Sequence, residues 1–227
     1  MRSFDYIESG KTLLTPHTTS LLAAIHEAKG HQSIQTTIRP DILGTLVAVA
    51  RIQSTDASNR IEGISTSDSR LNDLVSEKVT PRNRNEEEIA GYRDALSVIH
   101  ESHDYIPITP NVILQLHRDL FRHTPLTFAG HFKDSDNVII ERDAHGTSTV
   151  RFAPPSALVT PELIERACSA YTQAIRDGHT DPLLAIAMFI LDFTCIHPFN
   201  DGNGRMSRLL TLLMLCRNGY MVGKYIS

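Results

Sequence analysis

The chain predicts an all-α fold with one inserted β-hairpin, and three observations carry that prediction. Apolar residues recur at helical spacing through most of the 227 residues, as in Ile89, Tyr92, Ala95, Leu96 and Ile99. Proline, threonine or aspartate stands just ahead of most of these segments, where helices start. One stretch, 130–153, breaks the pattern. There Val138-Ile139-Ile140 and Thr149-Val150-Arg151-Phe152 are β-rich and flank the turn-forming Asp143-Ala144-His145-Gly146.

Taken in order, Thr19 or Ser20 is expected to cap a helix bearing Leu21, Leu22 and Ile25, with Gly30 as its stop. Pro40 suits a first-turn position before Ile42, Leu43, Leu46, Val47 and Ala50, a pattern that runs on towards Ile61 and stops at Gly63. Residues 66–77 read as a shorter, more polar helix, and 78–86, with Pro81, as a connector. A helix follows over Glu87–Ser102. Pro110 opens the next, which carries Ile113, Leu114, Leu116, His117, Leu120 and Phe121. Pro154-Pro155 closes the hairpin. Thr160 is expected to cap a helix with Pro161 at its first position, and Asp181-Pro182 to start a strongly apolar helix reaching Ile196. From Leu209 to Leu215 the chain is again almost purely apolar and helix-forming.

Composition excludes several classes. A hydrophobic content of 41% and a charged content of 21% suit a globular protein with a sizeable core. The net charge of −4 lacks the basic surface that nonspecific nucleic-acid binding needs, so nucleic acid is not expected as a partner. The longest apolar run, Leu183–Leu191, is about half of what a bilayer requires, and Asp192 ends it. No membrane is expected either. Cys168, Cys195 and Cys216 lie inside apolar helical patterns without paired spacing, as reduced thiols of a cytoplasmic protein do. Met1-Arg2-Ser3-Phe4-Asp5-Tyr6 has no apolar signal region.

The chemistry concentrates in residues 197–208, His-Pro-Phe-Asn-Asp-Gly-Asn-Gly-Arg-Met-Ser-Arg. A titratable base, a carboxylate, a glycine-framed turn and two guanidinium groups stand at the start of an apolar helix. Backbone N–H groups at such a start are free to hold an anion. Arg205 and Arg208 are spaced to reach the same one. The pattern reads as a polyphosphate site with a base beside it.

This run resembles the complete signature of the Fic family, His-x-Phe-x-Asp/Glu-Gly-Asn-Gly-Arg-x-x-Arg, and every specified position matches. The Gly91-Tyr92 helix, Leu116-His117, Gly130 and Phe152-Ala153-Pro154-Pro155 extend the likeness over most of the chain. Family members transfer AMP from ATP to a hydroxyl on a protein target. The resemblance therefore implies a Fic-type helical core with the hairpin as its flap. It implies a Mg²⁺-dependent protein adenylyltransferase with ATP as co-substrate and pyrophosphate as the leaving product. It further implies a catalytic core over 86–227 and an N-terminal helical region over 1–85. The ending at Tyr225-Ile226-Ser227 resembles a cut made where another helix would start.

Within the motif, His197 has an ordinary pKa near neutrality, which suits removal of a proton from an attacking hydroxyl; the alternative is a core histidine. Phe199 is expected to point into the core and fix the loop. Asp201 suits Mg²⁺, which takes one or two carboxylates and completes its shell with phosphate and water; the alternative is a helix N-cap. Gly202, Asn203 and Gly204 resemble the family's anion hole, with N–H groups unobstructed by side chains and an added amide donor from Asn203. Arg205 is expected to neutralise the leaving diphosphate and Arg208 to hold the terminal phosphate. The 138–152 hairpin resembles the flap that aligns a target by strand addition, with a purely structural hairpin as the alternative.

Far upstream, Ser58-Asn59-Arg60-Ile61-Glu62-Gly63 resembles the Ser/Thr-x-x-x-Glu-Gly/Asn pattern of the inhibitory helix in Fic proteins of the N-terminal class. Glu62 is expected to pair with Arg208 and take the guanidinium that the γ-phosphate needs. Ser58, one turn earlier on the same face, would steady the pair. The expected partners are ATP, an unidentified protein target on the hairpin, and further copies of the chain in a homo-oligomer. Two other readings stay open: an enzyme that removes AMP or works in both directions, and a non-enzymatic ATP-binding interaction module.

Overall fold

The computed structural model describes residues 4–38, 40–142, 146–176 and 178–221; the expected turn at Asp143–His145 and the chain end at Tyr225–Ser227 lie outside them. Among the described residues the fold is helical with a single two-stranded antiparallel hairpin, as the periodicity predicts. No helix among these residues is long and apolar enough to cross a membrane.

Asp5 accepts the Glu8 N–H and opens α1 (Tyr6–Leu13), which no pattern in the sequence announced. α2 (Pro16–Ile38) begins earlier and runs further than expected. Pro16 takes the first turn, where its missing N–H costs nothing, and the Thr15 hydroxyl accepts the Thr18 N–H. Thr19 sits inside the helix, its hydroxyl donating to the Thr15 carbonyl, so neither Thr19 nor Ser20 is the cap. Gly30 does not stop the helix. An interior glycine costs about 1 kcal/mol, too little to end a helix where the backbone needs no positive φ. Leu21 and Ile25 remain largely exposed on this helix.

α3 (Pro40–Ile61) has the expected bounds. Gly63, at φ +77°, turns the chain so that its N–H reaches the Arg60 carbonyl and the Ile64 N–H reaches Asn59. α4 (Asp68–Val75) falls within the predicted short helix. α5 (Arg84–Ser102) starts three residues earlier than expected, because the Asn83 side chain caps the Glu86 N–H. α6 (Pro110–Leu120) follows its Thr109 cap. It approaches α5 so closely that a Cβ on Gly91 would collide with the Leu120 carbonyl.

The hairpin pairs β1 (Ile139–Arg142) with β2 (Ser148–Phe152), Ile140 opposite Val150 and Glu141 opposite Thr149, with a bulge between Ile139 and Ile140. A short 3₁₀ turn leads into α7 (Thr160–Arg176). Thr160 is already helical there, and its hydroxyl donates to the Ser156 carbonyl, so it extends the helix instead of capping it. Asp181 caps α8 (Pro182–Ile196), accepting the Leu183 N–H as expected. α9 (Asn203–Arg217) completes the set.

α8 is apolar on all sides because it lies between α1, α7 and α9. Ile186, Phe189, Phe193 and Ile196 join Leu96, Ile113, Ile164 and Leu213 in the main core. Each contributes about 1.5–3 kcal/mol by burial. Tyr6 reaches the same core and donates to the Asp192 carboxylate at 2.9 Å. A separate, smaller cluster of Leu71, Leu74, Val75 and Ile89 seats α4 on α5, with Ile52 of α3 against it. α3 thus rests on α5 and touches α9 from outside the main core.

Candidate active site

The site is built where α8 hands over to α9. His197 ends α8 in the left-handed region, φ +51° and ψ +63°, while its N–H still bonds the Phe193 carbonyl. Such a conformation costs a non-glycine residue about 1–2 kcal/mol. It turns the imidazole out of the helix path, and Pro198 prevents the helix from resuming. Burial lowers the pKa of His197; a hydrogen bond to the Thr194 carbonyl and the nearby Glu62 charge oppose this, and Lys133 adds to it. A neutral imidazole results, the form that accepts a proton.

The loop that follows is locked from below. Phe199 is fully buried and stacks on the His117 ring, centroids 3.7 Å apart and planes parallel within 1°. The His117 Nδ1 accepts the Gly130 N–H at 3.0 Å, so its proton lies on Nε2, which donates to the Asp201 carbonyl at 3.0 Å. Burial brings the His117 pKa down to about 4. Asn203 clamps the loop: its Oδ1 accepts the Phe199 N–H and its Nδ2 donates to the Phe199 carbonyl. The amide expected to face an anion therefore points inward.

Gly202 takes φ +81°, and a Cβ there would strike the Phe121 ring, so the position needs glycine twice over. No side chain caps α9, and its first helical bond runs from Met206 N–H to the Gly202 carbonyl. The N–H groups of Asn203, Gly204 and Arg205 are therefore left over at the positive end of the helix.

The two arginines of the motif part company. Arg205 is buried, its Nη1 2.7 Å from Glu88 Oε2 and its guanidinium 4.9 Å from the Phe121 ring centre. Glu88 also accepts from Arg84 Nε at 2.8 Å, and Arg205 Nη2 lies 3.9 Å from Asp201 Oδ1. Arg205 thus faces α5, and it does not share one anion with Arg208 as their spacing suggested. With both groups already buried, pulling Arg205 away would leave Glu88 as an uncompensated charge, which is what breaking a buried pair costs.

Asp201 is not the cap either. Its Oδ1 accepts the Gly202 N–H, while Oδ2 lies 3.8 Å from Arg84 in a side chain that is 47% exposed. That outer oxygen is open to a cation. Among the described residues no group of three His, Cys, Asp or Glu side chains gathers to hold a metal, and a single carboxylate is enough for Mg²⁺ that shares its shell with phosphates.

Arg208 meets the end of α3. Its Nε donates to Ser58 Oγ at 2.7 Å, and its Nη2 donates to the Ser58 carbonyl at 2.9 Å and to Glu62 Oε1 at 2.7 Å. Ser58 is buried, and the Tyr92 hydroxyl of α5 lies near it. Glu62 stands in the turn made by Gly63, its N–H on the Asn59 carbonyl. The same Oε1 presses on the first turn of α9, where a Cβ on Gly204 would collide with it. Glu62 therefore sits against the start of α9, beside Gly204.

His117, Glu88, Tyr92 and Lys133 all serve the site, and sequence reasoning assigned none of them a part in it. His117 carried a signal, a polar ring among Ile113, Leu116 and Leu120. Glu88 carried none, because it sits in a run of three glutamates that reads as solvated.

Comparison with known proteins agrees with this architecture. The family model described as Fic/DOC family matches residues 107–215, which span α6, the hairpin, α7, α8 and most of α9. Residues 107–215 are a Fic/DOC family domain. The chain is 37% identical over 90 residues to a Fido domain-containing protein of Dictyostelium discoideum, covering 38% of this chain and 58% of that one. It is 28% identical over 145 residues to the protein adenylyltransferase fic-1 of Caenorhabditis elegans, covering 60% of this chain and 25% of that one. The chain thus spans less than two thirds of either relative. A crystal structure of a Fic domain containing signaling protein from Bacteroides thetaiotaomicron superposes with a TM-score of 0.69 at 25% identity, over 79% of this chain and 67% of that one. A Fic family protein from Desulfovibrio desulfuricans shares the fold, with a TM-score of 0.70 at 23% identity over 93% of this chain and 61% of that one.

Proposed function

We propose that this Fic domain is a protein adenylyltransferase held in an off state by Glu62. One observation carries the reading: the Glu62 carboxylate lodges between the Arg208 guanidinium and the Gly204 backbone, where a nucleotide phosphate would bind. A carboxylate bound there is a stand-in for a phosphate oxygen, since both accept from the same donors. The Fic adenylyltransferases among its relatives support the same chemistry.

In the reaction, neutral His197 takes the proton of a target hydroxyl. The hydroxyl oxygen attacks the α-phosphorus of ATP, the bond to the β-phosphate oxygen breaks, and pyrophosphate leaves. The free N–H groups of Asn203, Gly204 and Arg205 hold the phosphate oxygens on which charge develops. Arg208, once released by Glu62, holds the terminal phosphate. Arg205 anchors the floor of the cradle through Glu88 and screens the diphosphate from beneath. The outer Asp201 oxygen would hold Mg²⁺, which when bound neutralises phosphate charge. The hairpin, exposed along β2, offers its edge to a target segment. The cytoplasm, where thiols stay reduced, suits the three free cysteines.

Incubation with ATP labelled at the α-phosphate tests this. Glu62→Gly should label itself, and His197→Ala in that background should lower labelling by about 10²–10⁴-fold, the usual contribution of a general base. Retained labelling without His197 contradicts the mechanism. Free AMP released from an AMPylated protein by the unmodified chain would mark the reverse direction instead.

A further inference from the structure

The segment leading into the hairpin carries a lysine that the proposed chemistry does not use. Lys133 is 3% exposed, although it stands in the polar run Lys-Asp-Ser-Asp-Asn. Its ammonium donates to Asn137 Oδ1 at 2.9 Å, to the Pro155 carbonyl at 2.8 Å and to the Ile196 carbonyl at 3.2 Å. Asn137 precedes β1 and Pro155 follows β2, so two of these bonds hold the two feet of the hairpin. The third holds the last residue of α8, immediately before His197. The Lys133 N–H also donates to the Pro198 carbonyl at 2.8 Å, on the far side of His197.

We propose that Lys133 is a positioning residue that fixes the His197 imidazole relative to the hairpin on which the target is aligned. It rests on the reading of His197 as base and of the hairpin as target platform. The chemistry of the position favours a cation. An ammonium has three donors and finds three oxygen acceptors here, so none of its donors is left unpaired, although burial still lowers its pKa. The Ile196 carbonyl belongs to the last turn of α8, where the helix end attracts positive charge. An apolar side chain would leave all three acceptors unpaired, and the hairpin feet would lose their common tie to α8. Asn137 adds a weaker stitch, its Nδ2 donating to the Phe199 carbonyl at 3.3 Å.

Lys133 also acts on the base electrostatically. The charged groups facing His197 are Lys133, from the approach to the hairpin, and Glu62, from the turn after α3; the first lowers the imidazole pKa and the second raises it. Lys133 thereby helps keep the base unprotonated. A lysine that merely filled space would place the loop without this effect.

The test uses Lys133→Met, Lys133→Arg and Asn137→Ala in the full chain, with two readouts. The first is the NMR titration of the His197 side chain without nucleotide. The second is kcat and KM for ATP in self-labelling, in the Glu62→Gly background. Lys133→Met should move the His197 titration to higher pH and lower kcat by about 100-fold, the scale of a misplaced reacting group, with KM for ATP held within about threefold. Lys133→Arg keeps the charge, so it should keep the His197 titration and recover part of kcat. Asn137→Ala should lower kcat modestly and leave the titration unmoved. If Lys133→Met does not fold, Lys133→Arg and Asn137→Ala still decide, because a loss confined to KM for ATP in both overturns the proposal. An unmoved His197 titration with unchanged kcat in Lys133→Met overturns it as well. Because the titration needs no turnover, an inactive Glu62→Gly chain would refute the adenylyltransferase reading and leave Lys133 to be judged by NMR.

Discussion

The loop at 197–204 and the end of α3 meet at the first turn of α9, yet they are held by opposite means. The loop is pinned by buried, uncharged contacts: the Phe199–His117 stack, the Asn203 clamp and the His117 bond to the Asp201 carbonyl. The α3 end is held by an ion pair in which the Arg208 and Glu62 side chains are 31% and 35% exposed, backed by Ser58. Buried stacking and neutral hydrogen bonds hardly respond to salt or to competing anions, whereas a part-exposed pair responds to both. The difference teaches that the loop is the permanent half of the site and the α3 end the half that salt and anions can loosen; under the proposed function, that is the half that must leave. α3 also rests on the small satellite cluster and not on the main core, so its departure need not disturb α8 and α9.

The largest expected effect breaks the permanent half. Phe199→Ala should cost about 3–5 kcal/mol of stability, the range for a buried phenylalanine, and calorimetry should show a clear fall in Tm. Glu62→Gly should move Tm by only a degree or two, since a part-exposed pair is worth about 0–1 kcal/mol. Equal losses in the two variants would remove the contrast.

Acid should act on the loop next. His117 is neutral when folded, with a pKa brought from 6.5 to about 4 by burial. Between these values the unfolded chain binds a proton that the folded chain does not, so the contribution is complete above pH 6.5 and is lost as pH falls to about 4. The loss amounts to about 3 kcal/mol. Urea titrations at pH 7 and pH 4.5 measure it, and His117→Gln should flatten that dependence.

A smaller effect sharpens the releasable half. Ser58→Ala removes one acceptor of Arg208 but leaves the Ser58 carbonyl and Glu62 in place. It should weaken the hold by about 1 kcal/mol and raise self-labelling several-fold, well short of Glu62→Gly. Labelling of the two variants side by side gives the order.

Much of this was legible in the residues themselves. The helix order followed from apolar spacing, and the hairpin from two β-rich runs at the one break in it. The Glu62–Arg208 contact was expected only through the resemblance of the two segments to Fic motifs. What escaped has physical reasons. Gly30 looks like a stop, but glycine ends a helix only where the backbone needs a positive φ, as Gly63 does. Arg205 looks like the twin of Arg208 by spacing, yet Glu88 on another helix draws it inward. Asn203 looks like an anion donor, but the loop needs its amide to hold Phe199. Lys133 hides in a polar run because burial of a single cation leaves no periodic trace. For Arg205 and Lys133 the deciding partners lie far away in sequence.

The most direct test of the central claim compares self-labelling by the chain as it stands and by Glu62→Gly, with ATP labelled at the α-phosphate, alongside Tm for both. Coupling between two ligands that compete for one group is worth about 5- to 150-fold, so labelling should rise on that scale, while Tm stays nearly constant because the part-exposed pair adds little to folding. Equal labelling in the two chains would contradict the account: Glu62 would then be a bystander at the helix start, and Arg208 would not be the contested group.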